Sequence, residues 1–506
     1  MAARNEDQMI IMFPFMAQGH ITPFLALALQ IEQRFGYKII FINTPLNLKK
    51  LHSSLPPNSS ISLTELPFCS TDHDLPPDSE NTDSLPYPLI VKLFQASLTL
   101  KPSFNELIMD LTQKHGCPPL CIIGDMFLGW TLEIAKELKV FHATFNTCSA
   151  YGAGVYYSMW LNLPHCKTEC DEFPLRDFPE VNKIHITQLP NILKVADGND
   201  PWAKFFHKVL PLWFDSDAIL LNTVEELDYT GLKYFRRKFH GRPVWPIIPT
   251  FKHTIDEGVV CSIRPQKKSG IDLEKCIEWL NRRSPNSVLF VSFGSQNSIS
   301  RTQLMNLAIG LEESGKNFIW VVRPPIEFDI NGEFRSEWLP DGYESRLSDQ
   351  NRGLIIHKWA PQLEILAHKS TCAFLSHCGW NSVMESLSHG VPLLGWPLSG
   401  EQTYNSKFLE EEVGVCIEVG RGTSCEIVPR KLMSSIELVM GEGEKGVEMR
   451  KKAMEIRDMI EDAVREDDGF KGGSLKAMDE LVHAALAMRE RKREINGTVE
   501  NIGKSL

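Results

Sequence analysis

Short, wholly apolar runs alternate with helix-length segments along this chain, and the alternation occurs twice. Residues 9–15 (MIIMFPF) run into the turn-prone AQGH, residues 24–31 after Pro23 are apolar nearly all round, and residues 37–42 (YKIIFI) form a second strand-length run. Strands apolar on both faces belong to parallel sheets covered by helices on either side, whereas half-exposed strands alternate. The series continues with strands expected at 120–123, 143–146 and 218–222, and a helix at 132–138. Between 245 and 270 the texture changes to WPIIPTFKHTIDEGVVCSIRPQKKSG, dense in Pro, Gly and charge, as an exposed interdomain linker would be. Beyond it a helix at 273–280, a strand at 287–292, a helix at 301–314 and a strand at 317–322 repeat the pattern. The expected fold is α/β, with two Rossmann-like domains whose parallel sheets face each other across a cleft. Their expected limits are 1–249 and 271–470, with a linker at 250–270. A helix at 471–488 is expected to pack back on the first domain, followed by an exposed tail at 489–506.

Composition narrows the function classes. A formal net charge of -11, with no extended basic stretch besides RERKRE near the C-terminus, argues against a nucleic-acid partner, which requires a basic footprint. No run approaches the ~18 apolar residues of a membrane span. The N-terminus, with Glu6 and Asp7 close to Arg4, makes a poor signal peptide. A cytoplasmic monomer is expected, and the sequons at Asn58 and Asn496 are then accidents of composition. The twelve cysteines are scattered rather than arranged as a disulfide framework. Cys117 with Cys121, and Cys166 with Cys170 beside His165, lack the tight spacing of zinc modules, so reduced thiols and no metal are expected. The run from Gly441 to Gly446 matches GxGxxG, yet it follows an amphipathic helix at 429–440 and carries two acids where a pyrophosphate would sit. A surface turn is its expected role, which leaves a nicotinamide oxidoreductase without its phosphate fingerprint.

Chemistry concentrates between Trp359 and Gln402. An exposed aromatic at a strand end, Trp359, suits a nucleobase. The His377-Cys378-Gly379-Trp380-Asn381-Ser382 run opens a helix, whose free N–H groups and positive dipole end suit a diphosphate. Glu385, one turn further, suits ribose hydroxyls, and the pair Glu401 and Gln402 suits a hexose. In register, W-A-P-Q, H-C-G-W-N-S, the E of M-E-S, G-V-P, W-P and E-Q resemble the signature box of plant family 1 UDP-dependent glycosyltransferases. PFMAQGHITP, GDMFLGW, ILLNTVEELD and SVLFVSFGS extend the resemblance over nearly the whole chain. It implies the GT-B fold, an inverting reaction with neither metal nor other cofactor, and a UDP-sugar held mostly by the C-terminal domain.

On that resemblance Trp359 stacks on uracil, the Ala360 backbone bonds its edge, and Gln362 completes the first block. His377, Gly379, Asn381 and Ser382 surround the diphosphate with Ser295, which lies in the turn after the 287–292 strand. Trp380 and Gln402 resemble those of glucose-using members, so UDP-glucose is the expected donor. Glu401 stands where many relatives carry Asp. Thr147 is expected on a sugar hydroxyl, with Asn146 replacing a common aromatic. His20, in a Gly-His turn after the first strand, is the expected general base, since imidazole titrates close to neutral pH. Asp125, after the 120–123 strand, is expected to orient it; capping the following helix is the structural alternative. A small lipophilic acceptor such as a flavonoid, other phenolic or terpenoid is expected to bind among the loop after Phe15, the 80–100 region and Phe141–Trp160 with the stretch after it, whose aromatic YGAGVYYSMW run has core packing as its alternative role. The same residues would also serve another UDP-sugar, or a non-catalytic UDP-sugar-binding protein.

Overall fold

The computed structural model of the protein describes residues 8–249, 252–255, 259–262 and 270–503, with side chains described over 8–249 and 270–494. The apolar runs become strands covered on both faces. The first sheet comprises β1 (Met9–Phe13), β2 (Lys38–Asn43), β3 (Ser62–Glu65), β4 (Cys121–Asp125), β5 (Phe141–Asn146), β6 (Ala218–Leu221) and β7 (Val244–Pro246). Every pairing in it is parallel, in the order β3-β2-β1-β4-β5-β6-β7. The second sheet holds β8 (Val288–Ser292), β9 (Asn317–Val322), β10 (Gly353–His357), β11 (Thr371–Ser376), β12 (Leu393–Gly395) and β13 (Cys416–Glu418). It is also parallel, in the order β10-β9-β8-β11-β12-β13. Every residue of β1, β4, β5, β6, β8 and β11 is buried, the physical reason these runs do not alternate.

Strand order reverses between β1 and β4 in one sheet and between β8 and β11 in the other. Crevices at the carboxyl ends of strands, at such reversal points, are where open α/β sheets accept ligands. The two reversals face one another across the interdomain cleft.

The helices that bear on the site are α1 (Gln18–Phe35), α2 (Ala150–Asn162), α3 (Gln362–Ala367), α4 (Trp380–Leu387) and α5 (Gln402–Phe408), and the chain closes with α6 (Gly473–Gly503). The helix expected at 24–31 starts earlier: α1 begins in the turn itself and runs straight through Pro23. Proline removes one hydrogen bond near the start of the helix, and the buried apolar face that follows outweighs that loss.

The expected linker lies mostly outside the described residues; within it, Lys252–Ile255 pairs antiparallel with Val259–Ser262. At its far end Gly270 N donates to Trp359 O at 2.8 Å. On α6, Met478, Leu481, Val482 and Ala485 enter the same core cluster as Ile10, Ile39, Phe141 and Trp245 of the first domain. Arg34 Nε donates to Asp479 Oδ1 at 2.6 Å and Trp245 Nε1 to Glu480 Oε2 at 2.7 Å. The segment read as an exposed tail continues this helix to Gly503, and Lys492 Nζ donates to Leu138 O at 2.8 Å. The GxGxxG match spans the end of one helix, capped by Gly441, and the start of the next at Glu444, with no strand before it. Cys121 lies within β4, where burial pushes its thiol up to about 12. Among the described residues no helix is long and apolar enough to cross a membrane.

Candidate active site

The chain leaves β1 and turns directly into α1, so His20 stands in the first turn of a helix rather than in a free turn. Its Nδ1 lies 2.8 Å from Asp125 Oδ2, at the end of β4 across the reversal point. The Asp125 side chain is 0% exposed and that of His20 13% exposed. Asp125 Oδ1 accepts from Phe127 N at 2.9 Å, which prevents the carboxylate from swinging away. The next helix begins only at Thr131, with Trp130 at its cap, so Asp125 does not cap it. Phe15 and Phe127 pack against the imidazole, with ring centroids 5.8 and 5.1 Å away. Thr147 Oγ1 lies 3.4 Å from the same Nδ1. With Nδ1 turned toward Asp125 and Thr147, Nε2 is the ring nitrogen left for a substrate in the cleft that His20 lines.

On the opposite wall, Lys358 takes a left-handed conformation (φ 85°) just after β10 and turns the chain to present Trp359, half-buried, to the cleft. Ala360 and Gln362 follow it along the wall. His377 is buried and held between two glycines: a Cβ at Gly294 would come within 2.6 Å of its ring, and one at Gly379 within 2.4 Å. Both glycines are thus required by one imidazole. The start of α4 carries no side-chain cap, so its first N–H groups and the positive end of its dipole remain for a ligand.

Several expected donor groups are engaged within the protein. Trp380 Nε1 donates to Asn222 O at 2.5 Å, and Asn381 Nδ2 donates to Gly19 O at 2.9 Å, both across the domain boundary. Glu385 is fully buried behind Gln362, whose Nε2 donates to Glu385 Oε2 at 2.6 Å and to Ser382 Oγ at 3.2 Å. Gln402 Oε1 accepts from the N–H groups of Leu398 and Ser399, each at 3.0 Å, and so braces the turn before α5. Glu401 lines the cleft, and burial raises its carboxyl pKa.

The family model described as UDP-glucoronosyl and UDP-glucosyl transferase matches residues 222–443. UDP-glycosyltransferase 92A1 of Arabidopsis thaliana is 47% identical over 96% of this chain and 99% of its own length. The chain belongs to the UDP-glycosyltransferase family. Glycyrrhiza uralensis UGT73P12, solved with glycyrrhetinic acid 3-O-monoglucuronide, superposes with a TM-score of 0.82 at 26% identity, covering 98% of this chain and 99% of that one. Phytolacca americana UGT2, solved with UDP-2fluoro-glucose and pterostilbene, gives 0.74 at 26% identity, over 94% and 99%. The fold is therefore GT-B, and this UDP-glycosyltransferase is an enzyme of the glycosyltransferase class.

The enzyme's cleft, of about 800 Å³, also contains groups that the motifs did not single out. Arg323, immediately after β9, places its guanidinium 5.2 Å from the centre of the Trp359 ring and donates through Nη1 to Ser295 O at 2.5 Å. Burial lowers its pKa to about 10, and Asp83 across the cleft opposes that change. Gln296 Nε2 donates to Thr82 Oγ1, which links the turn after β8 to the first domain across the cleft. The signal for Arg323 was its place at the carboxyl end of a strand next to the reversal point. Of the aromatic 151–160 run, Tyr156 lines the cleft, while Tyr151, Tyr157 and Trp160 are buried in the core. Phe94 supplies the middle of the apolar wall instead, with ring centroids 4.3 Å from Phe15, 4.9 Å from Phe127 and 4.9 Å from Trp202.

Proposed function

We propose that this enzyme transfers glucose from UDP-glucose to a hydroxyl of a small lipophilic acceptor, a phenolic or terpenoid of plant secondary metabolism. The product is a β-glucoside and the second product UDP. One observation carries the reading: the His20–Asp125 pair, 2.8 Å apart, lines the same cleft as Trp359 and the open start of α4. His20 Nε2 takes the acceptor proton while the acceptor oxygen attacks the anomeric carbon from the face opposite UDP. The bond from that carbon to the diphosphate oxygen breaks, and UDP leaves. Asp125 orients the imidazole and stabilises the imidazolium formed. The start of α4 and the turn at Ser295 meet the charge developing on the diphosphate, at no reorganisation cost.

In this reading uracil stacks on Trp359, and Gln362 is the first polar group a ribose hydroxyl meets, with Glu385 supporting it from behind. Glu401 and Gln402 lie at the hexose end, and Thr147 lies between that end and the base. Phe15, Phe94, Phe127, Tyr156 and Trp202 give the acceptor a flat apolar wall. The Phytolacca enzyme, solved with a UDP-glucose analogue and pterostilbene, supports both halves by analogy. Another UDP-sugar is the alternative donor.

The test is UDP release from UDP-glucose with a panel of phenolic and terpenoid acceptors. Acceptor-dependent release with retention of activity in EDTA is expected, because backbone N–H groups take the place of a cation in this scheme. Equal turnover with UDP-glucuronic acid would overturn the donor assignment, and loss of turnover on chelation would overturn the metal-free step.

A further inference from the structure

Pro23 lies buried inside α1 and deprives the helix of one N–H. In an α-helix the N–H of residue 23 would close on the carbonyl of residue 19. The Gly19 carbonyl lacks that partner and accepts from Asn381 Nδ2 at 2.9 Å, from the other domain. The next residue along α1 is His20. The residue before Asn381 is Trp380, whose indole N–H donates to Asn222 O at 2.5 Å, just beyond β6. Asn222 Nδ2 in turn lies 3.5 Å from Asn381 Oδ1 and 3.1 Å from Thr147 O. The start of α4 is thus bonded to the first domain on two sides, next to the base on one of them. A Cβ at Gly19 would meet nothing within 4 Å, so the space beside this residue is open.

We propose that Pro23 is a positioning residue for glycosyl transfer. By withholding its N–H it keeps the Gly19 carbonyl available to Asn381, and that strut sets the separation between the start of α4 and His20. A helix with a normal residue here would offer the carbonyl a competing donor from its own next turn. The kinetic consequence rests on the transfer reading above; the strut itself does not.

Pro23→Ala and Pro23→Val both return an N–H to the helix, and valine also approximates the volume of the ring. Both variants are expected to unfold at the wild-type temperature or above, since the helix gains a better former and a hydrogen bond. The separation of fluorescent labels on the two domains of the ligand-free protein is expected to broaden. With UDP-glucose and acceptor, kcat is expected to fall about tenfold while UDP affinity changes less than about twofold, the pattern of misplaced reacting groups. Donor hydrolysis relative to transfer is expected to rise, because a looser cleft admits water. In a double-mutant cycle Pro23→Val should add nothing to the domain separation of Asn381→Ala, since both act through the same bond, one by competing for its carbonyl and the other by deleting its donor. Wild-type kcat and domain separation in Pro23→Val would overturn the proposal, as would full additivity with Asn381→Ala. A loss confined to Pro23→Ala with a lowered unfolding midpoint would also overturn it, marking the ring as packing alone. The domain separation needs no substrate, so failure of the transfer reading would leave that measurement standing.

Discussion

In the proposed transfer His20 and Asp125 act together to move one proton. The buried carboxylate has one oxygen tied to Phe127 N, so the imidazole has a fixed orientation and a fixed counter-charge. Replacing the imidazole removes the proton acceptor while leaving the opposite wall intact. His20→Ala should therefore lower acceptor-dependent kcat by about 10²- to 10⁴-fold, with UDP affinity by titration calorimetry held within about twofold. Asp125→Asn should cost kcat about 10²-fold or more, since an amide neither stabilises an imidazolium nor enforces the same tautomer. In the same proposal Arg323 serves the donor side. It joins the Ser295 turn to the Trp359 ring, so Arg323→Met, which keeps the apolar stem, should weaken UDP binding about tenfold in the same calorimetric measurement. Unchanged UDP affinity would assign the guanidinium to some other task.

The start of α2 is stabilised from a distant loop. Asp228 accepts from Ala150 N at 2.6 Å and from Tyr151 N at 3.0 Å. Burial raises its carboxyl from 3.8 to about 8, against the lowering effect of those two bonds. Between those two values the folded chain keeps a proton that the unfolded chain has released. Stability should then fall as pH rises through that window, by up to about 1.4 kcal/mol per pH unit, and level off above it. Urea unfolding at a series of pH values should show this slope, and Asp228→Asn should flatten it. A slope identical in the two proteins would place the titration elsewhere. In α1 the structure departs from the local sequence signal. There a proline that usually marks a boundary lies inside the helix, and His20 shifts from the expected turn into a helical first turn.

α6 belongs to the second domain by position in the chain and to the first by packing. Leu481, 2% exposed, fills the core face of the first sheet together with Ile10 and Ile39. Leu481→Ala should destabilise the protein by about 2–5 kcal/mol, read as a lower urea midpoint with an unchanged slope. A change below about 0.5 kcal/mol would mean that α6 is dispensable to that core. The ion pairs of Arg34 with Asp479 and Glu466 lie at the edge of the same contact and are partly exposed, so apolar burial is the larger contribution.

Much of this was legible in the residues alone, for reasons that are local. A strand covered on both faces needs an unbroken apolar run, which is why β1, β4, β5, β6 and β8 are legible in the residues alone. A helix that opens without a side-chain cap over a glycine shows in the order His377 to Ser382. That the imidazole of His377 needs Gly294 as well as Gly379 could not be read, because the two glycines lie on different strand ends. The same holds for Glu385, whose spacing along α4 says nothing of the Gln362 amide standing in front of it. His20 meets Asp125 across 105 residues, and Asn381 meets Gly19 across 362. No periodicity encodes such pairs, since the first forms only when β1 and β4 lie side by side in one sheet and the second only when the two domains pack against each other. The sequence by itself determined the two parallel sheets and the kinds of side chain around the donor box. The tertiary structure alone decided which groups face the cleft and which are engaged in holding the two domains together, because that choice depends on distances across an interface.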